Sequence, residues 1–229
     1  MLSHFHTRLL LVLALSGVAM QLVAQENSSG SNVQYSWAFV ARSGGSGPHQ
    51  IGLISRDTAM KSGDEFKLFV NLSTKAYVYV LHRGSNGDID LLFPYSLAMF
   101  EKDYALDRNY YIPKGREWFT FDKMTGNEAF YVLASKERLT GLEKALSAYT
   151  GADSAGKSLA ASKVVEEIKN TKKQFRSFST LAERPLSIAG NVRGERTGTI
   201  DPDRIDVASL ATEVSANNFF SKTITIDHK

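Results

Sequence analysis

The sequence predicts a mainly β, α+β fold: an antiparallel, immunoglobulin-like β-sandwich with an added C-terminal helical segment. Three observations lead there. Short apolar segments alternate with the period of two that half-buried strands require. Turn residues punctuate them, with Ser62-Gly63-Asp64 ahead of one segment and Asn86-Gly87 between two others. From about residue 138 to 180 the apolar period becomes helical, and the chain then closes on another alternating run.

Taken in order, "VQYSWAFVAR" and "QIGLIS" supply the first strands. In "EFKLFVNL", Phe66, Leu68, Val70 and Leu72 point one way, with Lys67, Phe69 and Asn71 opposite. "AYVYVLH" is apolar on both faces, as a central sandwich strand would be, and "DIDLLF" sends Ile89, Leu91 and Phe93 to one side. "EWFTFD" and "EAFYVLAS" read as two more strands. Helical spacing follows in "RLTGLEKALSAY" and "KSLAASKVVEEIKNTKKQFRSF", the second placing Val164, Ile168, Phe175 and Phe178 near one stripe. Its outer face carries Lys163, Lys169, Lys172, Lys173 and Arg176, diluted by Glu166 and Glu167, and reads as a solvated surface. "AGNVRGERTGTIDPDR" reads as an extended loop, and "FFSKTITIDHK" as a last strand that returns to the sheet.

The N-terminal "MLSHFHTRLLLVLALSGVAMQLVAQ" has a polar start ending at Arg8, an apolar run from Leu9 to Leu15 and a small, apolar stretch to Ala24. That is the layout of a secretory signal peptide, and the run is shorter than the roughly 20 residues of a spanning helix. The expected organisation is a signal peptide over 1–24, a flexible lead-in over 25–34 and one sandwich-like domain over 35–229, with a helical insertion at about 138–180. A split into two domains near Thr150 is the alternative. The expected destination is secreted or periplasmic, with no membrane span after cleavage. The chain has no cysteine, which excludes a thiolate zinc site, a thiol nucleophile and lipid attachment through cysteine. With 27 basic and 24 acidic residues, it lacks the concentrated basic field of a nucleic-acid binder.

One stretch matches a chemical motif. "GADSAGKS", Gly151 to Ser158, fits the phosphate-loop pattern G-x-x-x-x-G-K-[ST]. A working loop follows a buried strand and opens a helix, so that backbone N–H groups and the helix N-terminus cradle the anion. Here the preceding segment is itself helical, so the stretch reads as a link between helices and no cofactor is expected. Ser154 and Lys157 also match the S-x-x-K of serine–lysine acyl enzymes, but the accompanying S-D-N and K-T-G are absent. Outside the leader the histidines are His49, His82 and His228, with no spacing that suggests a metal site. "DPDRID", carrying Asp201, Asp203 and Asp206, lacks the glycine and distal glutamate of a calcium loop and reads as a turn. Tyr95, Phe100, Tyr104, Tyr110, Tyr111 and Trp118 lie in or beside the long connection after "LLFP". Aromatic residues on such a loop can stack on sugars or anchor a protein, so Tyr95, Tyr104, Tyr110, Tyr111 and Trp118 are the candidate binding residues, against the alternative that they are core.

The run "MKSGDEFKLFVNLSTKAYVYVLHRGSNGDIDLLFPY", followed by "YYIPKG", "FTFD" and "GNEAFYVLAS", resembles a bacterial family known only as domain of unknown function 4384. The matching points are Gly63-Asp64 before a strand, Tyr77-Val78-Tyr79-Val80, the Asn86-Gly87 turn, Leu92-Phe93-Pro94, Ile112-Pro113 and Gly126-Asn127-Glu128. The likeness runs from about Trp37 to Ser135. It implies a β-rich accessory domain, often exported, with no defined catalytic residues. Its motifs look structural: Gly63 and Gly87 for turns, Pro94 and Pro113 to end strands.

The expectation is therefore an exported, non-catalytic binding or envelope-accessory domain with a protein or glycan partner. The alternatives are an enzyme whose site is assembled from dispersed residues and, less favoured, nucleotide binding at Gly151–Ser158.

Overall fold

The computed structural model describes residues 32–44, 51–176, 182–185 (backbone) and 206–229. The expected signal peptide, most of the expected lead-in, His49, Phe178 and the stretch 186–205 with Asp201 and Asp203 lie outside the described residues.

Twelve strands among the described residues form two sheets. One has the order β10 (Ala182–Pro185), β11 (Thr212–Ala216), β1 (Val33–Arg42), β4 (Glu65–Leu72) and β7 (Asn109–Ile112). β2 (Ile51–Leu53) continues on β1 and β8 (Phe119–Thr120) on β4. The other sheet has the order β3 (Thr58–Met60), β12 (Phe219–His228), β9 (Gly126–Ser135), β5 (Tyr77–Arg83) and β6 (Ile89–Phe93). Their facing sides make the main core, filled by Tyr35, Phe39, Leu68, Val80, Phe130 and Ile224 among others. The expected sandwich is present, with β3 added parallel to β12, where the sequence reading was antiparallel throughout. β3 follows β2 across from the first sheet and enters the edge of the second in the direction of β12.

The two-faced strand β5 has a different explanation from the one expected. Val78 and Val80 enter the sandwich core, whereas Tyr79 and Leu81 face α2 (Thr140–Thr150) and α3 (Lys157–Phe175). The helices thus form a third layer, packing Leu142, Leu146, Val164 and Ile168 against Leu81, Leu133 and Phe219. Phe175 stacks on Phe219 with ring centroids 4.6 Å apart. β6 departs from its expected alternation as well. A bulge opposite Val80 and Leu81 inserts one residue, so Ile89 and Leu91 face the helices while Phe93 turns into the sandwich. "EWFTFD" shortens to the two-residue β8, although Phe119 and Phe121 both point inward as alternation requires.

The turn motifs behave as read. Gly63 has φ +89° at the third position of a turn closed by Asp64 N–H to Lys61 C=O, 2.9 Å, and Asp64 Oδ2 accepts from Lys61 N–H at 2.8 Å. Gly87 has φ +88° in the β5–β6 hairpin, where Asn86 Oδ1 accepts from Asp88 N–H at 2.9 Å; the loop spans residues 84–88 rather than two residues. Phe93 and Ile112 are the last residues of β6 and β7, and Pro94 and Pro113 follow them. Asp206 accepts from Ala208 N–H and caps a short 3-10 turn, Val207–Leu210.

Two tyrosines fasten the helical layer. Tyr79 Oη donates to Glu143 Oε1 at 2.6 Å and accepts from Leu139 N–H at 3.0 Å, supplying α2 with the N-terminal partner that its own side chains do not. Tyr149 Oη accepts from Ile89 N–H at 2.9 Å and lies 3.3 Å from Asp88 Oδ1. Tyr79→Phe leaves the buried Leu139 amide without its partner and Glu143 Oε1 with Arg138 Nε alone, and should cost about 1–3 kcal/mol. Chemical denaturation measures the loss, and hydrogen exchange should place the faster opening in α2.

Candidate functional site

The inward series of three strands end in polar residues. On β5 the series Val78, Val80 continues to His82; on β9 Phe130 is preceded by Glu128; on β12 Ile224, Ile226 continue to His228. The register opposes His82 to Phe130 and His228 to Gly126, so Glu128 is the diagonal neighbour of both histidines from the central strand. Its carboxylate lies 2.6 Å from His82 Nε2 through Oε2 and 2.7 Å from His228 Nδ1 through Oε1. A carboxylate only accepts, so both ring nitrogens donate N–H to it. The His228 side chain is fully buried, Glu128 is 7% exposed and His82 17%.

His82 Nδ1 lies 3.4 Å from Asp90 Oδ2 on β6. Burial pulls the His82 pKa down, but the bonds to Asp90 and Glu128 and their charges outweigh it and push the ring up to about 9. His82 is therefore an imidazolium at neutral pH, set between two carboxylates.

Beside this cluster the sandwich opens into a cleft of about 630 Å³. His82 and Glu128 contribute to its wall, with Leu91, Leu92, Phe119 and Tyr95 on the apolar side. Asp88, Asp90 and Asp122 mark the acidic side, and among the described residues no Lys or Arg lines it. The size falls in the range of small-ligand and side-chain pockets.

The five aromatic residues singled out from the sequence do not converge. Only Tyr95 lines the cleft; its hydroxyl donates to Tyr111 C=O at 2.7 Å and Lys114 Nζ sits 4.2 Å from its ring centre. Burial raises the Tyr95 pKa to about 12. Tyr104 and Tyr110 belong to a plug at the Tyr77 end of β5, with Phe93 and Phe100. Tyr104 Oη donates to Ala76 C=O at 2.8 Å and accepts from Val78 N–H at 2.9 Å, while Tyr110 Oη accepts from Ala105 N–H at 2.7 Å. Both hydroxyls are engaged by backbone. Tyr111 and Trp118 lie on the outer face of the first sheet, where Arg42 stacks 4.5 Å over Trp118 and buried Lys67 donates to the carbonyls of Pro113, Gly115 and Glu117.

Two arrangements resemble catalytic ones. Ser62 Oγ lies 3.1 Å from His228 Nε2, which completes a serine–histidine–glutamate series. Acyl transfer also needs free N–H groups aimed at the developing oxyanion. The amides around Ser62 are already used: Ser62 N–H on Lys229 C=O, Gly63 N–H on Phe121 C=O and Asp64 N–H on Lys61 C=O, all within 2.9 Å. The series anchors the last strand to the turn before β4. The phosphate-loop match joins α2 to α3, with no strand ahead of it. Gly151 and Gly156 have φ of −83° and −86°, so the alternation of right- and left-handed backbone that forms an anion nest is missing. Asp153 Oδ1 takes the Gly156 N–H at 2.8 Å, and Lys157 Nζ donates to Tyr149 C=O at 3.1 Å over that residue's ring. Among the described residues no group of three or more His, Asp or Glu is placed to hold a metal ion.

Fold and cleft together define a β-sandwich domain with one open end and a helical layer on one sheet. Residues 59–138 match the family model described as domain of unknown function (DUF4384), which spans β3 to the residues before α2 and contains every residue lining the cleft. The chain is similar to that family over this segment. No curated protein and no solved structure matches the chain.

Glu128→Gln removes the charge that both histidines face. Breaking a buried pair in this way is expected to cost about 3–5 kcal/mol by denaturant unfolding. The folded pKa of His82 lies above its unfolded value of 6.5, so its contribution is complete below that value and is lost as pH rises towards about 9. Wild-type stability should fall across that window, and the variant should lose much of the slope; parallel pH profiles for the two proteins would contradict the assignment.

Proposed function

We propose that the chain is an exported, non-catalytic binding domain of the cell envelope, which takes a segment of a protein or glycan partner into the cleft beside His82 and Glu128. The observation that carries this reading is the cleft's division into an apolar wall, with Tyr95 and Phe119, and an acidic wall, with Asp88, Asp90 and Asp122. Aromatic surface offers stacking area, and the carboxylates accept hydrogen bonds from sugar hydroxyls or cationic side chains. Rigidity supports it too, because the Glu128 clamp ties three strands under the site and little order has to be gained on binding. The leader-like N-terminus supports export. Among the described residues no helix is long and apolar enough to cross a membrane.

A photo-crosslinking residue placed at Thr120 on the cleft wall tests this in the native envelope. A discrete adduct is expected from Thr120, none from Leu159 on α3, which is 64% exposed, and loss of the adduct when Asp122→Lys and Met124→Ser alter the cleft lip. Equal labelling from both positions, or none from Thr120, would remove the cleft from consideration.

A further inference from the structure

The helical layer carries a second concave feature, remote in sequence from the cleft-forming segment. Near the end of α3, Lys169, Lys172, Lys173 and Arg176 line a groove of about 400 Å³. Phe175 and Phe219, stacked on each other, form its apolar wall. The four cations are spaced i, i+3, i+4 and i+7, which places them on one side of the helix and sets two like-charged pairs at i, i+4, a spacing that opposes helix formation.

The acidic residues that dilute this charge in the sequence are elsewhere in space. Glu166 lines a separate groove beside Arg83 and Lys157, and the Glu167 carboxylate lies against Gly141 of α2. Among the described residues no carboxylate lines the basic groove, and none of its four cations has an ion-pair partner. The helix dipole accounts for cations in the last turn. Lys172 and Lys173 are both in that turn, but the dipole does not account for the direction of the Lys172 ammonium, which is turned towards β12, half-buried, with Thr223 Oγ1 at 3.0 Å. Burial lowers its pKa, and among the described residues no charge of opposite sign offsets that cost.

We propose that this groove binds a phosphoryl group. Several ammonium groups and a guanidinium fork facing one space suit a multiply charged anion with three or four oxygens better than a carboxylate with two. The Phe175–Phe219 wall suits an apolar or ring moiety attached to that phosphate. A lipid headgroup and a soluble phosphate share this chemistry. The site is separate from the cleft and stands or falls independently of the cleft's partner.

The test uses two probes on the full chain: pyrophosphate by titration calorimetry, and co-sedimentation with phosphatidylcholine vesicles with and without phosphatidylglycerol. Saturable binding in at least one arm is expected, weakened roughly tenfold or more in Lys172→Gln/Lys173→Gln and unchanged in the exposed control Lys136→Gln/Lys144→Gln. Pyrophosphate binding assigns a soluble phosphate, and binding only to the anionic vesicles assigns a headgroup. Failure in both arms, or equal weakening by the control pair, overturns the proposal. Arg176→Gln replaces the double variant if circular dichroism shows that the latter is unfolded.

Discussion

The end of the sandwich that opens to solvent depends on one buried carboxylate. Glu128 sits on the central strand of the second sheet, and a carboxylate placed there without partners would be prohibitive. Two imidazole N–H groups, one from each flanking strand, satisfy its two oxygens. A pair of this kind adds little net stability, since desolvation offsets attraction, but it penalises any register in which the three groups do not meet. The same cluster forms part of the cleft wall and holds the last strand against the turn at Ser62.

The second sheet must also be covered on both sides. Its inner side closes the sandwich and its outer side carries Tyr79, Leu81, Leu133 and Phe219, which only an added layer can remove from water. The helices meet that need and are fastened by polar contacts at both ends of α2, through Tyr79 and Tyr149. The cations of α3 gather at the C-terminal end of this layer, beside β12.

Much of this architecture was legible locally. Alternation in "EFKLFVNL" placed four residues in the core, Gly63 and Gly87 marked turns that need positive φ, and Val164 and Ile168 marked the buried helical stripe. The two faces of β5 were legible as apolar but not as belonging to different layers, because periodicity says that a face is buried and not what buries it. The bulge in β6 was invisible for a similar reason: one inserted residue moves Phe93 to the other side without any local signature. The His82–Glu128–His228 cluster was the largest omission. Each residue extends an inward apolar series by one step, and that parity was present in the sequence. What brings them together is the pairing of β12 with β9 across nearly 100 residues, which no local pattern specifies. The loop aromatics were legible as a group, but their division among cleft, plug and outer face follows from backbone hydrogen bonds such as those of Tyr104 and Tyr110.

Nitrogen-detected NMR of the histidine side chains is the most direct measurement of the shared carboxylate. His82 should carry protons on both ring nitrogens at neutral pH, with its Nε2 proton hydrogen-bonded, slow to exchange and dependent on Glu128. A neutral His82 at that pH, titrating near the ordinary value of about 6.5 with rapidly exchanging ring protons, would contradict the clamp on which the cleft is built.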